Sequence, residues 1–309
     1  MDKISLVRNF SRSYTKILGL LNKQILDSPL SLTESRIIFE IHQNHNLTAN
    51  DLVAILQVDK GYLSRELKKL KTMGLIYRTI SKADKRQKVL SLTDKGKNNF
   101  KFINSSSKNQ INHLLNNFSA YENHRFVASL GQVLHLLEKD KKISLRDIQI
   151  RTNFEQGDLG FIIQVHGESY RYEFDYGIEF EQYVTIGLVE FIKLYDPKRS
   201  RIWICTHNFN RIGFILVLDR GNSIAQLRYF FVFPEYRGIG MGNELMRLLV
   251  EFLKEKNYSE CYLWTTNDLL PAVNLYLKYG FKLVEEKPSV NFGKNLVEQK
   301  YTLKLPKAQ

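Results

Sequence analysis

The chain is predicted to fold as two domains, a mainly α domain with a helix-turn-helix and a β-hairpin, followed by an α/β domain. Three observations carry that expectation. The 309 residues exceed the roughly 100–200 that one domain usually takes. The formal charge of +13 is held unevenly: residues 1–150 carry 25 Lys+Arg against 13 Asp+Glu, and residues 151–309 carry 20 against 19. Residues 226–256 read as an apolar strand, a glycine-dense turn and an amphipathic helix, the arrangement that offers free backbone N–H groups to an anion.

Composition removes several classes of protein. With 43% apolar residues the chain can bury sizeable cores, as ordinary globular domains do. No uninterrupted apolar run reaches membrane length, and Met1-Asp2-Lys3 leads into an amphipathic helix rather than a signal peptide. A cytoplasmic protein without membrane association is expected. Cys205 and Cys261 both sit in apolar, strand-like runs and read as free buried thiols of a reducing compartment. His42 and His45 have no cysteine partners, so no metal site is expected.

The first half is helical until residue 74. Apolar residues recur at helical spacing across 3–26. A second helix is expected over 34–43 with Thr33 as its cap, and a third over 47–56. The break at Gln57-Val58-Asp59 leads into a fourth over 60–74. Two short helices joined by such a break form a helix-turn-helix, whose second member enters the DNA major groove. Lys60, Tyr62, Ser64 and Arg65 occupy its early exposed positions, whereas Leu63, Leu67 and Leu70 read as core. Residues 75–79 and 88–92 then alternate as two strands around a basic tip, where Lys85 and Arg86 are placed for a minor groove or phosphates and Asp84 can steady the arginine.

Asp84-x-Arg86 in this hairpin, followed by Leu92-Thr93-Asp94-Lys95-Gly96 opening the next helix, closely resembles the MarR family of winged-helix transcriptional regulators. The resemblance implies binding to double-stranded DNA. It also implies that the two chain ends, 3–26 and 100–138, pair across a two-fold axis, so a homodimer is expected. A winged helix used only for protein contacts is the competing reading, and the concentration of positive charge in this half argues against it. Residues 138–142 form a charged linker, which bounds a first domain at 1–142 and a second at 150–309.

The second half opens with a strand near Arg151, passes through Gly157-Asp158 towards a helix, and continues to a long helical stretch over 178–195. Residues 201–205 and 212–217 read as a hairpin leading into the strand before the glycine turn. That turn, Arg237-Gly238-Ile239-Gly240-Met241-Gly242, is not a dinucleotide fingerprint, because Asn243 and Leu245 stand where a third glycine belongs. It also lacks the Gly-Lys-Ser/Thr of a phosphate-binding loop. A plain glycine-rich β–α turn is the alternative.

Arg-x-x-Gly-x-Gly after Val232-Phe233-Pro234 resembles the acetyl-CoA pyrophosphate loop of the GNAT acetyltransferases. A second match follows: Ala272-x-x-x-Tyr276-x-x-x-Gly280-Phe281 looks like the helix whose tyrosine faces the thioester sulfur. The resemblance implies an α/β GNAT acyltransferase fold with a mixed, largely antiparallel sheet, and acetyl-CoA as acetyl donor. Gly238, Ile239, Gly240, Met241, Gly242 and Asn243 would hold the pyrophosphate, with Arg237 ordering the loop or contacting it. Backbone groups of Phe230, Phe231 and Val232 would polarise the acetyl carbonyl, and Tyr276 would protonate the departing thiolate. Leu269 stands where the family often has a cofactor-facing asparagine, so Asn267 is the candidate replacement.

Asp158, His166 and Tyr170 look like the start of the GNAT portion in MarR–GNAT fusion proteins. His166, Glu168, Tyr170 and Glu179 fall where acceptor-binding helices lie in that fold, so they are candidate substrate contacts or supports of the fold. For a general base Glu168, Glu179, Glu190 or a water stay open. Residues 281–303 supply two strands joined by a polar loop, where Asn291 and Phe292 read as loop decoration or substrate contacts. The expected function is a DNA-binding transcriptional regulator carrying an acetyl-CoA-dependent N-acetyltransferase for a small amine or a protein lysine. The alternatives are a regulator whose second domain only senses acetyl-CoA or another ligand, and a helical adaptor without DNA affinity.

Overall fold

A computed structural model describes residues 2–20, 22, 25–80, 86–138 and 143–306. The chain divides into compact units Met1–Asn123 and His124–Gln309. The first unit begins with α1 (Lys3–Ile17), capped by Asp2, whose carboxylate accepts the Ser5 N–H at 2.9 Å. The helix stops eight or nine residues short of the expected end, because Gly19 turns the chain at φ +64°. Ile25 is buried separately. α2 (Leu32–Gln43) starts earlier than expected, since Ser31 rather than Thr33 is the cap. Ser31 and Glu34 satisfy one another's N–H groups reciprocally, the geometry of a capping box.

α3 (Ala49–Leu56) is boxed in the same way by Thr48 and Asp51, and Gln57 at φ +52° makes the break before α4 (Lys60–Thr72). Leu63, Leu67 and Leu70 are buried on the α4 face that packs against Ile37, Ile38 and Leu52. Glu34, fully buried, holds the Lys69 ammonium at 2.6 Å and so ties α2 to α4. Burial opposes its ionisation, but Lys69 and the Ser31 N–H outweigh that and keep the carboxyl below its usual range. β1 (Ile76–Ile80) and β2 (Lys88–Leu92) form the expected antiparallel hairpin. α5 (Asp94–Asn116) and α6 (Ala120–Leu137) complete the helical part.

In the second unit, the part of α6 from His124 onward is held by side-chain and backbone contacts. Asn210 donates to the Ala128 carbonyl at 2.9 Å. Gly131 lies so near the Asn208 carbonyl that a Cβ there would come within 2.3 Å of the oxygen. His135 stacks on Tyr236 with ring centres 4.9 Å apart. The chain continues through β3 (Gln149–Arg151), α7 (Asp158–Phe174), α8 (Ile178–Leu194), β4 (Arg201–His207), β5 (Asn210–Asp219) and β6 (Ile224–Val232). It then forms α9 (Met241–Glu255), β7 (Glu260–Thr266), α10 (Leu270–Lys278), β8 (Lys282–Ser289) and β9 (Leu296–Lys304).

Among the described residues, seven strands of this unit form one sheet in the order β3-β4-β5-β6-β7-β9-β8. Every neighbouring pair is antiparallel except β6 and β7, so the sheet is mixed and largely antiparallel, as expected. The continuous apolar run of β5 follows from its central place, with helices covering both faces. Ile215 and Val217 enter the core beneath α9 and α10, whereas Phe214, Leu216 and Leu218 enter the core beneath α7 and α8. β8 is exposed along almost its whole length. Cys205 and Cys261 are free and buried, and burial pushes both thiols up to about 12. No described helix is long and apolar enough to cross a membrane.

Asp158, at the start of α7, fastens that helix to the sheet. Its fully buried carboxylate accepts both Arg151 guanidinium nitrogens at 2.9 and 2.6 Å, Arg211 at 3.0 Å and the Glu155 N–H at 2.8 Å. Burial opposes ionisation, and the two arginines with that N–H overcome it, leaving the carboxyl below its usual range. Removing one partner of a buried pair strands the other charges, at a cost of about 3–5 kcal/mol. Asp158→Asn is therefore expected to lower the unfolding free energy of the second unit by about that amount in urea titrations. Because the folded carboxyl titrates below its unfolded value of about 3.9, the wild-type advantage is full above that pH and is lost as pH falls through the folded value.

Candidate functional site

The site follows from how β6 and β7 separate. Their parallel pairing covers only Ile224, Ala225 and Gln226 against Glu260, Cys261 and Tyr262. Beyond Gln226, β6 bends away. An extra residue stands in β6 where Phe214 to Leu216 of β5 oppose Phe231 to Arg228, and Tyr229 takes φ +53°. Such a bulge bends a strand and increases its twist. The β7-facing edge of the remaining β6 residues is left without a strand partner.

Two cavities open in the split. The first, of about 380 Å³, is walled by Phe230, Phe231 and Val232 on one side and by Arg237, Gly238, Gly240, Gly242 and Asn243 on another. Gly238 and Gly240 have φ +80° and +93°, a conformation that side chains resist, and Gly240 caps α9. Gly242 faces Leu275 across a gap in which a Cβ would sit 3.3 Å from the leucine methyl. The turn thus presents backbone and the positive end of α9, an arrangement suited to phosphate oxygens. Arg237 stays with the protein: it donates to the Val232 carbonyl at 2.9 Å and grips Glu173 of α7 through both terminal nitrogens, at 2.5 and 2.9 Å. Met241 is buried in the core and Ile239 packs against it, so only their backbones belong to the turn.

The second cavity, of about 110 Å³, adjoins the first and shares Tyr170, Phe230, Leu269 and Ala272 with it. α7 and α8 contribute His166, Tyr170, Phe180 and Tyr183, and the segment between them Tyr176; the strands and α10 contribute Tyr229, Trp264 and Tyr276; the C-terminal hairpin adds Phe292 and Glu298. Burial holds the Tyr276 phenol well above the usual tyrosine range, so it stays protonated. Phe292, on the polar loop, is buried in this wall.

The remaining expected residues fall elsewhere. Glu168 is exposed and accepts from Gln164 at 3.1 Å, and Glu179 is exposed near Gly177 and Gly293. Neither lines the two cavities. Asn267 accepts the Val297 N–H at 2.9 Å and lines neither. Glu190 is clamped between Arg220 and Arg228, each at 2.6 Å, and the hydrogen bond from Arg220, with that from Arg228, pulls its carboxyl down to about 2. Glu298 is the carboxylate that does line the aromatic cavity, and sequence reasoning passed over it. Its register opposite Thr266 and Lys287 depends on strand pairing that no local signal reveals.

In the first unit, Lys60, Ser64 and Arg65 are exposed along α4. Tyr62 is half-buried and donates its hydroxyl to Thr33 at 3.1 Å, which leaves its ring as the part available outward. Arg86 is exposed beyond the β1–β2 strands. Lys85 and Asp84 lie outside the described residues.

His166 is buried, and its Nδ1 lies 2.8 Å from the Ile162 carbonyl. A carbonyl only accepts, so Nδ1 carries the proton and Nε2 is the acceptor. Burial pulls the ring down to about 4. Nitrogen-15 spectra are expected to show a neutral Nδ1–H tautomer at pH 6 that persists to about pH 5. Since the unfolded ring protonates near pH 6.5, this residue also makes stability fall as pH drops from there through the folded value.

Comparison with known proteins agrees with the two units. Residues 163–281 match the model of the acetyltransferase (GNAT) family, and residues 28–87 that of the MarR family. An uncharacterized N-acetyltransferase of Schizosaccharomyces pombe is 26% identical over 149 residues, 48% of this chain and 87% of that protein. An uncharacterized HTH-type transcriptional regulator of Bacillus subtilis is 27% identical over 124 residues, 38% of this chain and 83% of its own. Among solved structures, a GNAT family acetyltransferase from Elizabethkingia anophelis with acetyl-CoA bound is 14% identical, with a TM-score of 0.38 over 52% of this chain and 99% of that one. A winged-helix hairpin behind α4 and a glycine turn at a strand split each coincide with a family match, and the chain therefore joins a MarR-family domain at residues 28–87 to a GNAT-family acetyltransferase domain at residues 163–281.

Proposed function

We propose that the second unit transfers the acetyl group of acetyl-CoA to an amine, and that the first binds double-stranded DNA as a homodimer, making the chain a DNA-binding regulator that carries an N-acetyltransferase. One observation carries the enzymatic reading. The glycine-turn cavity and the aromatic cavity share Tyr170, Phe230, Leu269 and Ala272, so an anionic donor in one and an amine in the other would have a wall in common. The donor supplies a thioester-activated acetyl group. An N–C bond forms as the C–S bond breaks, the amine loses a proton and the departing thiolate gains one.

The chain's own groups fit those requirements. The N-terminus of α9, with Gly238, Gly240 and Gly242, offers backbone N–H groups to a pyrophosphate. The unpartnered edge of β6 beyond Gln226 offers backbone donors to an oxygen that gains charge, the most effective single device in acyl transfer. Tyr276 lines the aromatic cavity with its phenol held protonated by burial, the form required of a donor to a thiolate. Arg237 positions the turn through Glu173 and Val232.

For the first unit, the outward face of α4 and the basic excess of residues 1–150 support contact with phosphates. The exposed apolar face of α1, with Ile4, Leu6, Val7 and Phe10, supports pairing with a second copy.

Two measurements test the reading. Tyr276→Phe is expected to lower kcat by roughly 10²-fold or more for a preferred amine, while the calorimetric Kd for acetyl-CoA stays within threefold. Absence of turnover by the wild type with every amine, with the cofactor still bound, favours the sensing alternative. Arg65→Ala is expected to weaken binding to all duplexes alike and to reduce the slope of log K against log salt by about one. A wild-type slope near zero would exclude a DNA-binding role.

A further inference from the structure

The aromatic cavity has a chemical preference. Resting on the acetyltransferase reading above, we propose that its acceptor is an alkylammonium, a primary amine at the end of an unbranched apolar chain, bound between aromatic faces and the Glu298 carboxylate. Half of the lining residues are aromatic, and their rings pack closely: Tyr170 and Phe180 lie 4.6 Å apart, Tyr176 and Phe292 5.5 Å, Tyr183 and Phe292 5.2 Å. Aromatic faces attract cations through their quadrupoles, more strongly where water is excluded. Glu298 adds one negative charge to this lining.

The protein already seats alkylammonium groups of its own on rings that belong to this lining. The Lys287 ammonium lies 3.3 Å from a Glu298 oxygen and 4.6 Å from the centre of the Trp264 ring. The Lys294 ammonium lies 2.9 Å from Asp268 and 4.8 Å from the centre of the Tyr176 ring. Trp264, Tyr176 and Glu298 all line the cavity. Lys287 and Lys294 do not themselves line the cavity, but each rests its ammonium on a ring that does, beside a carboxylate. Among the described lining residues, Arg228 is the one Lys or Arg, and it faces Glu190; an acceptor carrying its own carboxylate would have to displace that pair. A volume of about 110 Å³ suits a short methylene chain. The balance is R–NH₃⁺ plus thioester giving amide, thiol and a proton released to solvent.

Lys287 competes with such an acceptor for Glu298. That makes a directional test available. Initial rates of the full-length protein with acetyl-CoA are compared for n-butylamine, a peptide with one internal lysine, and glutamate. Either of the first two is expected to exceed glutamate at least tenfold in kcat/KM. Preference for n-butylamine identifies a free amine, and preference for the peptide a lysine side chain. Glu298→Gln is expected to raise the KM of the preferred amine at least tenfold with unchanged acetyl-CoA binding, which also reports that the variant is folded. Lys287→Met is expected to lower that KM. Preference for glutamate, or a KM indifferent to both substitutions, overturns the alkylammonium assignment and leaves acetyl transfer intact. If no amine is turned over, acetyl transfer is what fails. The assignment is then read from tryptophan fluorescence titrated with n-butylammonium: saturation lost in Glu298→Gln supports it, and a flat titration overturns it.

Discussion

A short parallel contact governs the second unit. β6 and β7 pair over three residues only, and the bulge at Tyr229 makes longer pairing impossible, because one extra residue rotates the strand away from its neighbour. Both cavities lie beside this split. The glycine turn stands where β6 ends, α10 contributes to both linings, and Tyr170, Phe230, Leu269 and Ala272 are common to the two cavities. A regular β6 would close the split with ladder hydrogen bonds. The strained φ of Tyr229 is sustained from outside the strand: its hydroxyl donates to the Val184 carbonyl at 3.2 Å and accepts from Arg228 at 3.1 Å. The side chain that is bent out of line is thereby anchored to α8.

Both units use buried carboxylates as fasteners between elements, and the setting differs in each. Glu34 joins α2 to α4 inside the helical unit, so the α4 face is presented on a fixed frame. Asp158 joins α7 to two strands. Glu190, with its side chain 42% exposed, joins α8 to Arg220 and Arg228 as a partly solvated fastener. Buried pairs contribute little net stability against apolar replacements of equal volume. Their effect here is to fix the orientation of helices that wall a binding space, and a group so committed is unavailable as a base. Glu190, an acid in the right region of the sequence, is committed to its two arginines and lines neither cavity.

What the sequence revealed and what it hid divide along physical lines. Local signals were readable: the helix-turn-helix through its break and leucine spacing, the hairpin through alternation, the glycine turn through composition. Cap positions were missed by one or two residues, as with Ser31 for Thr33, since the choice depends on which side chain also finds a partner at the third helical residue. Long-range assembly was not readable. Glu298 and Phe292 reach the cavity only through the pairing of β9 with β7 and the fold of the loop before it. Glu168 and Glu179 sit on the right helices but on faces turned outward, a rotation of about 100° per residue that motif spacing alone did not resolve. The part of α6 from His124 onward, which the sequence reading placed before the linker, falls in the second compact unit, where Gly131 allows a close approach to the 208–210 turn.

β8 ends the sheet, and its character bears on how the protein keeps its copies apart. An open edge strand is a template for another chain's backbone, and natural sheets blunt such edges with charge and proline. β8 carries Lys282, Glu285, Glu286 and Lys287 and then Pro288, which has no N–H to offer and cannot continue a ladder. A register shift between Leu283 and Glu285 further twists it. The same lysine that pairs with Glu298 thus belongs to a strand whose composition discourages fibre growth, so removing charge from this edge would loosen a safeguard against aggregation.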